Sequence, residues 1–174
     1  MAVLERKIIH DRTTLCSLVP YPQFILPRHK HVEYEIMLFT HGSGKQFVGE
    51  GVADYQEGDV ALIGSNVPHL HLCNTKLNPI ASFDVSAGEA LQFHPTIFPV
   101  SMKELPDYCS IYELLQKSQY GIRFYEKELY SKLKQLFQEI EKQEHTQRLI
   151  CLFQILEQLC PVSYTHLTLP TNSL

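Results

Sequence analysis

The run His29-Lys30-His31-Val32-Glu33-Tyr34-Glu35, with Gly42 beyond it, holds the residue types best suited to chemistry in this chain. On a regular β-strand, residues two and four apart project from the same face, so His29, His31 and Glu35 would converge. His69, at the end of the later run Gly58-Asp59-Val60-Ala61-Leu62-Ile63-Gly64-Ser65-Asn66-Val67-Pro68-His69, joins them if its strand lies beside the first in an antiparallel barrel. Two or three imidazoles and one carboxylate with open positions suit a divalent transition metal. They equally suit buried histidines satisfied by hydrogen bonds, or the polar groups of a small-ligand pocket.

Positioning these groups requires strands, and the spacing of apolar runs and turn residues over 8–85 predicts them at 24–26, 34–40, 44–52, 60–63, 69–72 and 80–85. Short strands so closely spaced suggest a sandwich or barrel. His41-Gly42-Ser43-Gly44 suits a hairpin with positive φ, and Gln56-Glu57-Gly58-Asp59 has turn chemistry before an apolar strand.

After the proline-containing stretch 94–99 the period changes. Leu129, Leu133, Leu136, Phe137 and Ile140 fall on one face of a helix, with Lys132, Lys134, Glu139 and Glu141 outside it. A second helix over 146–159 carries Leu149, Ile150, Leu152, Phe153, Leu156 and Leu159, an apolar face wider than one barrel contact requires. The helices cover the barrel or each other, or they also bury a two-fold interface. Tyr112, Tyr120, Phe124, Tyr125 and Tyr130 have helix-packing spacings and no interleaved basic residues, unlike a base-stacking platform.

The 174 residues are 44% hydrophobic and 20% charged, the balance of one globular domain with a sizeable core. The net charge of −4 comes with scattered basic residues, so there is no electrostatic footprint for a phosphate backbone. No apolar stretch is long enough to span a bilayer and the start does not read as a signal peptide, so the expectation is a cytoplasmic protein without membrane association. Cys16, Cys73, Cys109, Cys151 and Cys160 form no CxxC pair and sit among apolar neighbours, which predicts reduced, buried thiols. His10, His41, His94 and His145 fall in turns or at predicted termini and are expected at the surface.

The run Val162-Ser163-Tyr164-Thr165-His166-Leu167-Thr168-Leu169-Pro170-Thr171 continues neither period. It resembles a translated adapter of transposase-made sequencing libraries, and on that reading the natural sequence departs near Cys160 or Pro161.

His29, His31, Glu35 and Gly42 stand at the spacing of the first cupin motif, although Gln23 occupies the place of its leading glycine. Gly58 and His69 match the second motif, where Gly64, Asn66 and Cys73 replace its proline, glycine and asparagine. The chain therefore resembles the cupin superfamily over about 24–85. More closely, the run from His29 to Gly44, then 58–69, then Phe93-His94-Pro95-Thr96-Ile97-Phe98 and the helical pair resemble the N-terminal regulatory domain of AraC-type transcription regulators over most of 8–160.

The resemblance implies a mainly β fold with C-terminal α structure, a cupin (RmlC-like jelly-roll) barrel followed by an amphipathic helical pair. It divides the chain into an effector-binding barrel at 1–95, a helical dimerisation segment at 96–161 and the adapter-like tail at 162–174. It implies a pocket for a small effector, a sugar or related metabolite, drawn from His29, His31, Glu35, Met37, His69 and His71, with Arg28 and Tyr34 as further candidates. A homodimer through Leu129, Leu133, Leu136, Phe137, Ile140, Leu149, Leu152, Phe153 and Leu156 follows, with DNA bound only through a separate C-terminal domain absent from this chain. The barrel of such sensors is expected without a metal, the alternative being a divalent transition metal on His29, His31, Glu35 and His69. No catalytic residue is expected; the competing function is a stand-alone metal-dependent cupin enzyme, a dioxygenase or isomerase, built on the same four ligands.

Overall fold

The computed structural model describes residues 3–8, 14–74 and 86–167. Among these the strands are β1 (Leu4–Glu5), β2 (Cys16–Tyr21), β3 (His29–Lys30), β4 (Tyr34–His41), β5 (Ser43–Val48), β6 (Gly51–Gln56), β7 (Val60–Ile63), β8 (His69–Cys73), β9 (Ala87–Phe93), β10 (Ile122–Phe124) and β11 (Thr165–His166). The helices are α1 (Cys109–Lys117), α2 (Lys127–Lys142) and α3 (His145–Leu159).

The strands form two sheets. One has the order β1-β3-β8-β5-β6, the other β11-β10-β7-β4-β9-β2. In the first, Gly44, Gln46 and Val48 of β5 are buried, while the alternate residues Ser43, Lys45 and Phe47 are more exposed. This is the period of a sheet with one face in water. The second sheet is covered on both faces, which is why Tyr34–His41 reads as an almost unbroken apolar run. Met37 and Phe39 turn inward against Phe24, Tyr55, Ala61 and Ala90. Ile36 and Leu38 turn the other way, into a core shared with Leu62, Leu91, Phe93 and the helices. The molecule is thus a two-sheet barrel with helices on the outer face of one sheet, the expected mainly β fold with C-terminal α structure.

The strands at 60–63 and 69–72 stand where the pattern puts them, β8 running one residue further. Residues 24–26 are instead irregular, and Phe24 is buried inside the barrel. Expected as one strand, 44–52 folds as two, because Gly49 at φ 55 makes the β5–β6 hairpin. Gly42 does have positive φ, at 76, but His41–Gly44 carries the chain from one sheet to the other instead of closing a hairpin. The strand expected at 80–85 lies outside the described residues, as does His10. Unforeseen are β1, β2, β9, α1 and β10, the last of which holds Phe124 in a strand and not at the helical spacing expected of it. Thr165–His166 pairs with β10, and Leu167 packs on Val48, Ile63 and Val67. A two-residue strand is too short to show a period.

Both expected helices form, and most of their apolar faces are used within the chain. Leu129, Leu133, Phe137, Ile140, Leu152 and Leu156 are buried in the core beneath the six-stranded sheet. Within this chain their side chains are spent on that core. Exposed at the surface of α3 are Leu149 (38%) and Ile150 (44%), while Leu136 and Phe153 are half-buried. The α2–α3 corner is tied to β2 by Arg148, whose guanidinium donates to Gln143 O at 2.9 Å and Cys16 O at 3.1 Å.

Cys16, Cys73 and Cys151 are buried as expected, but Cys109 is exposed and Cys160 half-buried. Burial pushes the Cys16 thiol up to about 12, partly offset by Arg148. No described helix is long and apolar enough to cross a membrane.

Candidate functional site

His29 opens the short strand β3 and pairs directly with His69 at the start of β8. The chain then leaves this sheet, passes His31, and enters the opposite sheet at Tyr34. His29 and His69 therefore come from one sheet and Glu35 from the other, meeting across the barrel interior. Convergence arises from this crossing, and not from one continuous strand face.

The rings lie close: the His29 and His69 centroids are 4.4 Å apart, His31 and His69 5.1 Å, and His29 and His31 5.7 Å. One ligand nitrogen from each of the three falls within 4.8 Å of the others, a group able to hold a metal ion. His29 Nδ1 lies 2.9 Å from Pro27 O, and His69 Nδ1 2.9 Å from Val67 O. A carbonyl only accepts, so each Nδ1 carries the proton and each Nε2, in the neutral ring, presents a lone pair. Carbonyls behind two imidazoles are the outer support that orients metal-binding histidines. His29 Nε2 and His69 Nε2 are buried without a hydrogen-bond partner, whereas His31 meets carboxylates on both sides, Nδ1 lying 3.4 Å from Glu33 Oε2 and Nε2 3.4 Å from Glu35 Oε2. The donor set thus fits a divalent transition ion, with three imidazole nitrogens and the Glu35 carboxylate beside them.

Glu35 is buried. Its Oε2 accepts from Gln92 Nε2 at 2.7 Å and lies 3.4 Å from His31 Nε2, and its Oε1 is 3.8 Å from His69 Nε2. Burial alone would raise its pKa. The neighbouring His31, and then the charges of His69 and His71, outweigh burial and hold the carboxyl well below the usual range. Burial pushes His69 down to about 3 and His71 to about 4, against a smaller upward pull from Glu35. His29 is also lowered, mainly by burial. Neutral His29 and His69 rings beside an ionised Glu35 are the protonation states that metal binding requires.

His29, Glu35, Met37 and His71 line a cavity together with Tyr21, Phe24 and Leu26. Its volume is about 10 Å³. That is room for about one water molecule or ion, far below the several hundred Å³ that enclose a drug-sized ligand. Arg28 lies elsewhere, donating to Gly49 O at 2.5 Å and pairing with Glu50 at 3.2 Å. Tyr34 faces the helices, its ring 5.4 Å from Phe93. Neither reaches the pocket, because Tyr34 has the strand parity opposite to Glu35 and Arg28 closes the β5–β6 turn.

Sequence reasoning missed Tyr21, Phe24 and Gln92. The Tyr21 hydroxyl accepts from Arg6 Nη1 at 3.0 Å and from Gln92 Nε2 at 3.2 Å, linking Arg6, just after β1, through Gln92 to Glu35. A glutamine between Leu91 and Phe93 in an apolar run was the available signal for Gln92. Nothing local marks Phe24, which is inward only because its segment folds under the barrel mouth.

Residues 14–71 match the AraC-like ligand binding domain family. No curated protein matches the chain. A Cupin 2 conserved barrel domain protein from Salinispora arenicola is similar at 17% identity and TM-score 0.37, over 47% of this chain and 64% of that one. An apo variant of ToxT from Vibrio cholerae is similar at 13% identity and TM-score 0.49, over 85% of this chain and 54% of ToxT. Wild-type ToxT from Vibrio cholerae bound to an unsaturated fatty acid is similar at 12% identity and TM-score 0.47, over 95% and 61%. The chain spans less than two thirds of the length of each of these proteins.

Proposed function

We propose that this chain, whose residues 14–71 are those of an AraC-like ligand binding domain, is the effector-sensing and dimerising part of a cytoplasmic AraC-type transcription regulator and not an enzyme. The observation that carries the reading is a buried set of polar groups around a small cavity in an otherwise apolar barrel. Residues 1–95 would sense, through His29, His31, Glu35, Met37, His69 and His71, and 96–161 would relay. The effector class is a sugar or related neutral metabolite, since ionised Glu35 disfavours an anion in the cavity.

An effector changes regulation only if it binds two arrangements of the dimer differently. For the dimer the structure leaves Leu136, Leu149, Ile150 and Phe153 with surface to offer, and DNA would be bound by a separate domain. Calorimetric titration with monosaccharides, sugar acids and fatty acids tests the reading. Binding of a neutral sugar, abolished by Glu35→Leu, supports it. Turnover of a substrate that requires added metal would favour a cupin enzyme instead.

The unpartnered Nε2 atoms of His29 and His69, with His31 beside them, favour a second reading of the same site, a resident divalent ion held by these residues and Glu35. Such an ion would add positive charge and Lewis acidity toward an effector oxygen. Stoichiometric metal in the purified protein, lost in both His29→Ala and His69→Ala, supports this reading; a folded, metal-free wild type removes it.

A further inference from the structure

The His–Glu cluster accounts for the unpartnered nitrogens of His29 and His69, but not for three further buried polar atoms. His71 Nε2 and both amide atoms of Gln46 also lack hydrogen-bond partners. These two residues stand directly opposite each other in the β5–β8 ladder, so their side chains are neighbours on the inner face. Both are buried. A fold concerned only with packing would be better served by leucine or methionine at position 46, because an amide with no partner loses its hydration and regains nothing.

The surroundings limit what can satisfy these atoms. The Phe24, Phe39 and Tyr55 rings lie 5.2, 5.3 and 6.3 Å from the His71 ring, giving aromatic walls. No cation faces the pair among the described residues that could compensate an anion: Lys45 pairs with Asp54 on the solvent face, Arg28 with Glu50, and Arg6 meets the Tyr21 hydroxyl. The pair suits a neutral group that both donates and accepts, as a hydroxyl does.

Phe24 occupies the space such a group needs. It comes from the irregular segment between β2 and β3, beside exposed Ile25, and its ring tip enters the notch left by Gly88, where a Cβ would come within 2.8 Å of Phe24 Cζ.

We infer that Gln46 and His71 form a second subsite of the barrel, taking a neutral hydroxyl-bearing group of the effector, and that Phe24 is the side chain that leaves to admit it. The inference rests on the sensor reading above. The full chain carrying Phe24→Ala has room for about one six-membered ring, so the probe is trans-cyclohexane-1,2-diol, with cyclohexanecarboxylate as its anionic counterpart, titrated by calorimetry. The diol is expected to bind Phe24→Ala at least tenfold more tightly than wild type, to weaken at least tenfold when Gln46→Leu is added, and to bind better than the carboxylate. Gln46→Leu alone should be at least as resistant to urea as wild type. Diol affinity indifferent to Gln46, a preference for the carboxylate, or a lower urea midpoint for Gln46→Leu overturns the subsite. A sugar that binds wild type and Gln46→Leu equally also overturns it while sparing the sensor reading. Gln46-dependent diol binding without any sugar binding to wild type sinks the sensor reading and leaves the subsite standing.

Discussion

Replacing Gln92 by leucine removes the amide that donates to Glu35 Oε2 at 2.7 Å and to the Tyr21 hydroxyl at 3.2 Å. The first bond ends on a buried, ionised carboxylate, and losing it is worth about 1.5–3 kcal/mol; the second is neutral and worth about 1 kcal/mol. Against this, Gln92 Oε1 is itself buried without a partner, so leucine relieves about 1 kcal/mol of desolvation. The expected net loss is about 2 kcal/mol, or about 4–8 °C in Tm for a chain of this size. Urea denaturation of metal-free protein at pH 7.5 measures it. Since the loss comes from stranding a charge, Glu35→Leu added to Gln92→Leu should recover at least half of it. A Gln92→Leu variant within about 0.5 kcal/mol of wild type, or a double variant weaker than the single, would refute the view that the Gln92 amide supports the buried Glu35 carboxylate.

Stability should fall in acid before any carboxylate protonates. His69 and His71 are pushed down to about 3 and about 4 from 6.5, so below pH 6.5 the unfolded chain takes up protons that the folded one refuses. Their contribution is complete above that pH and is lost at about 1.4 kcal/mol per pH unit for each group as pH falls toward 4; a urea midpoint unchanged between pH 7.5 and 5 contradicts it. Phe137→Ala, emptying a fully buried position, should cost about 3–5 kcal/mol by urea denaturation. Ile150→Asp, at an exposed position, should change monomer stability by less than about 0.5 kcal/mol yet lower the mass seen by sedimentation if α3 pairs with a second copy. Arg148→Ala should cost about 2 kcal/mol, because carbonyls of the α2–α3 corner and of β2 lose a charged donor; an unchanged midpoint would show that corner to be held by packing alone.

Much of the fold was legible because local patterns carry it. The strands at 34–41, 60–63 and 69–73 and both long helices follow from apolar runs and a helical period that survive whatever packs on them. The spacing of His29, His31, Glu35 and His69 likewise pointed to side chains that the structure brings into one cluster. The hairpin at Gly49 was not legible, since 44–52 reads continuously through it and only pairing shows where the strand turns back. The tertiary structure alone decided which helical residues are left for a partner: Leu133 and Leu149 are equally apolar in sequence, yet one is buried beneath a sheet and the other faces out. It also decided that Phe24 lies in the barrel, that Gln92 holds Glu35, and that Gln46 and His71 are left with unpartnered atoms side by side. Residue types and spacing determine which groups can meet, because periodicity is local; which faces are covered and which polar atoms go unpaired depend on how two sheets and three helices close over one another.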